Sequence, residues 1–182
     1  MNIPARLVIV GGAPGSGKTT LATLLARELA LPLLVKDRIK ESLMESMGVA
    51  DLEANQRIGA AAYSLLFDVA DWLVEAGTGC VVESNFVVGR SEPGLTPLIA
   101  RALAVQINCV ADENIRRSRY EKRSRAGLRH PGHLDGLVLQ EWAARPASRH
   151  GPLSLDIPTM VVNTDSGYRP ALEEVLAFCA VP

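Results

Sequence analysis

Apolar positions along the chain fall into short runs that are separated by longer amphipathic stretches. Five runs have the length of buried β-strands, namely Leu7–Val10, Leu33–Val35, Cys80–Val82, Val105–Val110 and Met160–Val162. The stretches between them repeat apolar residues every three or four positions, as in helices with one buried face. One such stripe consists of Leu21, Leu24, Leu25 and Leu29. A second consists of Leu65, Leu66, Val69, Trp72 and Leu73. Strands that alternate with helices predict an α/β three-layer sandwich, with five mainly parallel strands and helices on both faces.

Composition refines this picture without adding a second domain. The 182 residues fit one compact domain, residues 1–182, and 48% of them are hydrophobic while only 4% are aromatic. The core must therefore be mainly aliphatic, which suits helices packed on a buried parallel sheet. The net charge of −1 argues against electrostatic capture of long duplex nucleic acid, which usually needs a basic surface.

Cysteine usage and the lengths of the apolar runs bear on the compartment. Cys80, Cys109 and Cys179 are odd in number, lie in apolar surroundings and lack metal-ligand spacing. We interpret them as buried free thiols of a reducing compartment. No run approaches the ~18 apolar residues of a membrane helix, and residues 1–6 lack the pattern of a signal peptide. The sequence therefore predicts a cytoplasmic protein that does not associate with membranes.

A glycine-rich loop follows the first predicted strand and precedes the first amphipathic stretch. It matches G-x-x-x-x-G-K-[ST] and comprises Gly12, Ala13, Pro14, Gly15, Ser16, Gly17, Lys18 and Thr19, with Thr20 directly after it. The glycines let backbone N–H groups turn towards an anion at a helix N-terminus, where the helix dipole favours phosphate. In this motif the lysine, here Lys18, contacts the β- and γ-phosphates, and the Thr19 hydroxyl coordinates magnesium. The loop therefore predicts a site for a nucleotide with Mg²⁺.

The loop by itself does not separate kinases from GTP-dependent switches or motor ATPases. Guanine-nucleotide switches usually carry an Asn-Lys-x-Asp motif, and the sequence has none, since Asn163-Thr164-Asp165 lacks the lysine. Ring-forming motor ATPases need a longer chain, whereas small kinases fit this length. We expect residues 163–165, which follow the last predicted strand, to contact the edge of adenine.

A carboxylate and a lysine follow the second predicted strand. Ligands of doubly wound folds bind at the carboxyl ends of the strands, so we expect Asp37 to lie beside the glycine-rich loop. A carboxylate there orients an acceptor hydroxyl and accepts its proton. Lys40 follows about one helical turn later and is expected to face the same cleft. The alternative is that Asp37 is the N-cap of a helix over Arg38–Met47, a role that aspartate fills well.

With these residues the chain resembles the small P-loop kinases related to polynucleotide 5′-hydroxyl kinase, the zeta toxins and chloramphenicol phosphotransferase. The resemblance is carried by Gly12–Thr20, by Asp37 with Lys40, by Glu83-Ser84-Asn85 after the third strand, and by Arg119 with Arg123. It implies a P-loop fold with the strand order 2-3-1-4-5, in which the first strand is central.

The same resemblance implies roles at the acceptor site. In the polynucleotide kinases, the residue that matches Asp37 is the general base, and an arginine that contacts an acceptor phosphate stands in place of Lys40. Lysine lacks the bidentate fork of arginine, which weakens the case for a phosphate-bearing acceptor such as an oligonucleotide. Glu83 replaces a more usual aspartate, and with Asn85 it is expected to bind the acceptor or to belong to the metal shell. The alternative for both residues is a polar strand end that caps the following loop.

Positive charge is concentrated in one segment. Residues 114–133 hold seven arginines and lysines against one glutamate, a balance of +6 in a chain whose net charge is −1. We predict a helical lid over about these residues. Arg119 and Arg123 are four residues apart and share one helix face. By resemblance, they close over ATP and neutralise charge on the transferring phosphoryl group, and Arg116 or Arg117 stacks on adenine, with Arg116 the expected ATP contact. The alternative is an ordinary solvated helix face.

Together these features predict an ATP-dependent kinase that transfers the γ-phosphoryl group of Mg-ATP to a hydroxyl of a small molecule, a nucleoside or an oligonucleotide. A nucleotide-sugar kinase like the zeta toxins is one alternative, and an ATP-dependent switch or binding module is another. The expected catalytic residues are Lys18, Asp37, Arg119 and Arg123; the expected acceptor site comprises Asp37, Lys40, Glu83 and Asn85, and Thr19 is the expected metal ligand. We expect a monomer or a dimer.

Overall fold

The computed structural model describes residues 4–127, 130–144 and 146–180. The strands within these ranges are β1 (Arg6–Gly12), β2 (Leu33–Val35), β3 (Cys80–Glu83), β4 (Leu103–Val110) and β5 (Thr159–Asn163). The α-helices are α1 (Lys18–Glu28), α2 (Lys36–Met47), α3 (Leu52–Glu75), α4 (Glu92–Ile99), α5 (Glu113–Arg125), α6 (Asp135–Gln140) and α7 (Leu172–Ala180). Leu128 and Arg129 of the predicted lid lie outside the described residues.

All five strands form one parallel sheet in the order β2-β3-β1-β4-β5. This arrangement confirms the predicted P-loop α/β sandwich, and each predicted apolar run lies within an observed strand. Strand β1 is central, because Val8 pairs with Val81 of β3 on one side and with Val105 of β4 on the other. A central strand covered on both faces must be apolar throughout, which explains the continuous run in β1.

Alternate residues of β1 face two separate cores, because successive side chains of a strand point to opposite faces of the sheet. Val8 and Val10 belong to a cluster formed with α1 and α7. Leu7 and Ile9 belong to a second cluster, formed mainly with α3 and α4. Helices therefore cover both faces of the sheet, and the loops that follow the strands are left at its carboxyl edge.

Helix α3 buries a different stripe from the predicted one. Leu65 and Trp72 were predicted to face the core, but they are 37% and 61% exposed. The buried stripe recurs every four residues and consists of Ile58, Ala62, Leu66, Ala70 and Val74. Two of its members are alanines, whose small side chains a search for large apolar residues overlooks. The prediction was therefore correct for Leu66 and wrong for Leu65 and Trp72.

Helix α2 begins two residues earlier than predicted. It starts at Lys36 with Val35 as its N-cap, so Asp37 lies inside the first turn. The alternative that Asp37 caps the helix is therefore wrong. A carboxylate in the first turn interacts favourably with the helix dipole, and the side chain of Asp37 remains 44% exposed.

The three cysteines are free and buried, as predicted. Burial raises the pKa of Cys80 and of Cys109 to about 12 and that of Cys179 to about 11. All three are therefore neutral thiols at pH 7. Across the described ranges, every helix is too short or too polar to cross a membrane.

The orientation of α3 predicts opposite outcomes for two adjacent leucines. Leu66 is fully buried, so Leu66→Ala leaves a cavity and is expected to lower the free energy of unfolding by about 2–5 kcal/mol. Leu65→Ala is the matched control, and because Leu65 is exposed we expect a change of about 0.5 kcal/mol. Urea unfolding followed by circular dichroism measures both. Equal losses in the two variants would contradict the observed orientation of the helix.

Candidate active site

The glycine-rich loop joins β1 to α1 at the middle of the carboxyl edge of the sheet. Strand β1 ends at Gly12 and α1 begins at Lys18, so the loop lies at a helix N-terminus. Gly15 has a φ of 79°, a left-handed value that glycine adopts without steric cost. A Cβ atom at Gly15 would lie 2.2 Å from the backbone oxygen of Arg116, so only glycine allows α5 to pack this closely. This geometry is that of a phosphate-binding loop.

The loop is fastened from behind by the end of β5 and by α5. Thr164 Oγ1 donates a hydrogen bond to Ser16 O at 2.8 Å. Arg119 donates through Nη1 to Thr164 Oγ1 at 3.1 Å and to Gly15 O at 3.4 Å, and through Nη2 to Thr164 O at 2.6 Å. The guanidinium of Arg119 is therefore occupied by the protein backbone. These contacts favour a positioning role, and the catalytic role expected for Arg119 stays a prediction.

Arg116 also lies behind the loop. Its Nη1 donates to Pro14 O at 3.5 Å, and its guanidinium lies 5.4 Å from the centre of the Trp142 ring. The aromatic group on which Arg116 stacks here is thus the indole of a buried tryptophan. The adenine contact expected for Arg116 stays a prediction, as does the ATP contact of Thr20, which is exposed on α1.

Glu83 faces the nucleotide loop. It ends β3 directly opposite Val10 of β1, and its Oε2 accepts a hydrogen bond from Thr19 Oγ1 at 3.0 Å. Its Oε1 lies 3.9 Å from Lys18 Nζ. Burial raises the pKa of Glu83, and the positive charge of Lys18 opposes that shift. These contacts favour a place beside the metal and the phosphates over a place in the acceptor site.

One cleft of about 200 Å³ brings together residues that are far apart in the sequence. It is lined by Pro14, Lys18, Thr19, Lys36, Asp37, Lys40, Asn55, Asn85, Tyr120, Arg123, His133 and Val138, and we call it the transfer cleft. Seven of the predicted site residues are among them, namely Pro14, Lys18, Thr19, Asp37, Lys40, Asn85 and Arg123. Glu83, Arg116 and Arg119 do not line it.

The carboxylate of Asp37 is held at the mouth of this cleft by its neighbour in the sequence. Lys36 Nζ lies 3.3 Å from Asp37 Oδ1, and the same ammonium group lies 5.2 Å from the centre of the Tyr63 ring. The side chain of Lys36 is only 10% exposed. A lysine held between a carboxylate and an aromatic face restricts the orientation of Asp37 and partly neutralises its charge.

Lys40 is engaged with α3 and, through it, with the segment that is predicted to form a lid. Its Nζ donates to Asn55 Oδ1 at 2.9 Å, and Asn55 Nδ2 donates to the backbone oxygen of Gly132. His133 Nε2 lies 2.8 Å from Glu41 Oε1 of α2. The segment 130–134, which we call the lid connector, is therefore docked against the helices that form the acceptor side of the cleft.

Arg123 points into the transfer cleft. Its guanidinium lies 5.3 Å from the centre of the Tyr120 ring. Its Nε is buried and has no hydrogen-bond partner within the described residues. A buried donor without a partner has a free-energy cost that an anionic ligand would remove. Arg119 and Arg123 thus lie one turn apart on α5 but contact different parts of the site.

The residues that follow β3 connect the transfer cleft to Tyr63 of α3. Asn85 lines the transfer cleft, and its backbone oxygen accepts a hydrogen bond from the Tyr63 hydroxyl at 3.4 Å. The Tyr63 hydroxyl also lies 2.8 Å from Ser84 Oγ. Burial raises the pKa of Tyr63 to about 12, so the phenol is neutral at pH 7 and can donate to these oxygens.

Comparison with known proteins agrees with this geometry. The family model described as "AAA domain" matches residues 7–147. The chain belongs to the AAA domain family. A proposed kinase from Chloroflexus aurantiacus J-10-fl is similar in structure, with a TM-score of 0.81 and 32% sequence identity over 96% of both chains.

Two further similarities concern the fold and one short segment. A sugar kinase from Janibacter sp. HTCC2649 has a TM-score of 0.64 and 18% identity, with 96% of this chain and 94% of that chain covered, and shows the same fold. A cytidylate kinase from Ignicoccus hospitalis is 42% identical over 50 residues, which are 28% of this chain and 29% of that enzyme. This member of the AAA domain family therefore has a P-loop kinase-like domain. The more specific resemblance to polynucleotide kinases and zeta toxins stays a prediction.

The oxygens beside Lys18 fit magnesium. Magnesium prefers hard oxygen ligands and is commonly held by one or two carboxylates or hydroxyls together with substrate phosphates and water. Thr19 Oγ1 and Glu83 Oε2 are 3.0 Å apart at the loop and supply one donor of each kind. No group of three or more histidine, cysteine, aspartate or glutamate side chains within the described ranges could hold a metal ion alone. This donor set fits an ion that is shared with a nucleotide.

The sequence analysis missed several residues of the site, among them Tyr120 and Val138 of the transfer cleft and three residues on α2 and α3. Lys36 precedes Asp37 directly, so its position in the chain was a usable signal. Asn55 and Tyr63 lie inside the long helix α3, and they face the site only because α3 packs beside α2. Asn55 lines the transfer cleft, and Gln56 beside it lines a larger cleft that also includes Tyr63.

The buried carboxyl of Glu83 predicts a pH-dependent effect on stability. Its folded-state pKa is raised above 4.5, so the folded state retains a proton that the unfolded state loses as pH rises. We expect Glu83→Gln to match wild type near pH 4 in melting temperature and to become more stable than wild type as pH approaches 7. Thermal melting across this range measures the difference.

A second measurement tests whether Glu83, which lowers stability at neutral pH, contributes to magnesium binding. We expect Glu83→Gln to lose most of the magnesium-dependent part of its ADP affinity, measured by calorimetry with and without Mg²⁺. Glu75→Gln is the control, since the side chain of Glu75 is 61% exposed and should change neither quantity. A constant stability difference at every pH would contradict the raised pKa.

Proposed function

We propose that this chain is an ATP-dependent kinase that transfers the γ-phosphoryl group of Mg-ATP to a hydroxyl of a small molecule, a nucleoside or an oligonucleotide. The observation that carries the proposal is the transfer cleft. In it the lysine of the phosphate loop, the carboxylate after β2 and an arginine of α5 line the same space, namely Lys18, Asp37 and Arg123. Kinase chemistry requires this combination, whereas nucleotide binding alone does not.

On the nucleotide side, the residues of the loop hold the phosphates. Backbone N–H groups at the start of α1 and the dipole of that helix attract the anionic chain, and Lys18 adds a positive charge beside it. Thr19 and Glu83 supply oxygens for Mg²⁺, which when bound neutralises part of the phosphate charge. This division leaves Asp37, in the first turn of the helix that follows β2, for the acceptor.

On the acceptor side, Asp37 is the proton acceptor. The hydroxyl oxygen forms a bond to the γ-phosphorus while the bond from phosphorus to the β–γ bridging oxygen breaks, and ADP leaves. The hydroxyl proton passes to a carboxylate oxygen of Asp37. Lys36, which lies 3.3 Å from Asp37 Oδ1, restrains that carboxylate. Arg123 stabilises the negative charge on the transferring group. Its buried Nε has no hydrogen-bond partner within the described residues, so it is available to an anionic ligand.

The proton-acceptor role of Asp37 predicts that its substitution lowers turnover without lowering the affinity for ATP. We expect Asp37→Asn to retain the wild-type dissociation constant for ATP and to lose about 10²- to 10⁴-fold in kcat. Transfer from γ-labelled ATP measures kcat across a panel of polyols, sugars, nucleosides and 5′-hydroxyl oligonucleotides. Asp68→Asn, an exposed residue of α3, is the control and should match wild type.

Other outcomes of this experiment would point elsewhere. An equal loss of ATP affinity and turnover in Asp37→Asn would indicate that Asp37 organises the metal or the loop. Slow hydrolysis that no acceptor stimulates, and that Asp37→Asn leaves unchanged, would favour a nucleotide-dependent switch and would overturn the kinase proposal.

The two arginines of α5 are expected to differ in kind. Arg123→Gln should lower kcat by about 10³-fold with little change in ATP affinity, because its charge acts on the transferring group. Arg119→Gln should weaken ATP binding by about tenfold, because it loses the hydrogen bonds that hold Gly15 O and Thr164 O. Arg117→Gln is the control on the same helix, since its side chain is 55% exposed and pairs with Glu121. A similar drop in kcat for Arg119→Gln and Arg123→Gln would indicate that Arg119 is catalytic as well.

A further inference from the structure

A second cleft adjoins the transfer cleft on its acceptor side. It has a volume of about 640 Å³ and is lined by Lys36, Gln56, Gly59, Ala60, Tyr63, Phe67, Val87, Arg90 and Ser91. Lys36 lines both clefts, so the two spaces are neighbours. A molecule whose hydroxyl lies at Asp37 therefore extends naturally into this second cleft, which we call the side cleft.

The charges of the side cleft are of one sign. Its lining includes Lys36 and Arg90 and no aspartate or glutamate. Lys36 is partly neutralised, because its ammonium lies 3.3 Å from Asp37 Oδ1. Arg90 follows β3 in an exposed loop, where its backbone N–H donates to Val87 O. Within the described residues its guanidinium forms no ion pair and no hydrogen bond. Burial raises the pKa of Tyr63 to about 12, and the positive charge of Arg90 opposes that shift, which agrees with Arg90 lying near the phenol.

We propose that the acceptor carries an anionic group, a carboxylate or a phosphate, which binds Arg90 in the side cleft while the acceptor hydroxyl lies at Asp37. This inference rests on the proposed kinase function and names the class of acceptor for the same site. The planar guanidinium of arginine matches a carboxylate or a phosphate with two parallel hydrogen bonds. A cationic acceptor would be repelled by Arg90, and a neutral acceptor would make no use of its charge.

The remaining surface of the side cleft suits a carbon skeleton. Tyr63 and Phe67 lie one turn apart on α3 with ring centres 6.0 Å apart, and Val87 lines the cleft with them. Gln56 and Ser91 add neutral polar groups that can bind hydroxyls. The cleft thus combines one strong charge with an apolar wall and a few polar groups, a composition typical of sites for small molecules.

The proposed anion site is at Arg90 and not at residue 40, the position that the resemblance to polynucleotide kinases indicated. Lys40 stands where polynucleotide kinases have a phosphate-binding arginine. Its ammonium donates to Asn55 Oδ1 at 2.9 Å, and Lys40 is only 8% exposed. Arg90 supplies the bidentate group that Lys40 lacks. The departure at residue 40 is therefore compatible with an anionic acceptor.

The test compares neutral acceptors with anionic derivatives of the same carbon skeleton. Glucose is paired with gluconate and with glucose 6-phosphate, and adenosine is paired with adenosine 3′-monophosphate. Transfer from γ-labelled ATP is measured for wild type, Arg90→Gln and Arg90→Lys. We expect kcat/KM to favour an anionic member over its neutral partner, and Arg90→Gln to lower the value for that member by about 10- to 100-fold, mainly through KM. Arg90→Lys should recover part of the loss.

The arms of the panel distinguish the sources of the anion. Preference for gluconate indicates a carboxylate, preference for glucose 6-phosphate indicates a sugar phosphate, and preference for adenosine 3′-monophosphate indicates the end of a nucleic acid strand. Arg27→Gln is the control, because Arg27 lies on α1 with a side chain that is 71% exposed, and it should match wild type. Equal use of neutral and anionic partners, with no effect of Arg90→Gln, would overturn the inference and leave the kinase function intact.

A binding measurement keeps the inference testable if no acceptor is phosphorylated. Calorimetry of the ADP-loaded protein with gluconate, glucose 6-phosphate and adenosine 3′-monophosphate does not depend on turnover. At least one anion is expected to bind more tightly than its neutral partner, and Arg90→Gln is expected to remove that difference. Binding without transfer would count against the kinase function alone, whereas the absence of any anion preference in binding would overturn the inference.

Discussion

The site depends on how the carbonyl groups of the glycine-rich loop are satisfied. A loop whose N–H groups converge on an anion must find hydrogen-bond donors for its carbonyls on the opposite side. Thr164 donates to Ser16 O, and Arg119 donates to Gly15 O and to the backbone of Thr164. These bonds join β1, β5 and α5 behind the loop. The inward face of the loop is thereby left for phosphate, and the helix that carries Arg123 is held beside it.

The cations of the site are divided by their hydrogen-bond partners. Arg119 donates to the backbone oxygens of Gly15, Thr164 and Asp165, and Lys40 donates to Asn55. Lys18 and Arg123 line the transfer cleft, where phosphate charge is expected. Arg90 lines the side cleft and forms no ion pair within the described ranges. A high density of arginine and lysine therefore does not mean one shared task, because each partner already present removes a cation from the set that can bind a ligand.

The acceptor side and the lid side of the cleft are physically connected. The lid connector contacts both helices of the acceptor side, through Gly132 to Asn55 of α3 and through His133 to Glu41 of α2. The same Asn55 accepts a hydrogen bond from Lys40. One amide thus contacts both the acceptor wall and the lid connector. The relative position of these two walls follows from short polar contacts, since the hydrophobic clusters lie around the sheet.

The sequence by itself determined the features that are written locally. Buried parallel strands are short apolar runs, and the phosphate loop is a contiguous motif, so the strand order and the placing of Lys18 and Asp37 followed from pattern and resemblance. The tertiary structure alone decided which face of α3 is buried, because the stripe through Leu66 depends on close approach by small alanines. It also decided the division between Arg119 and Arg123 and the approach of Arg90 to Tyr63. Such outcomes depend on contacts between distant segments, whose geometry no local pattern records.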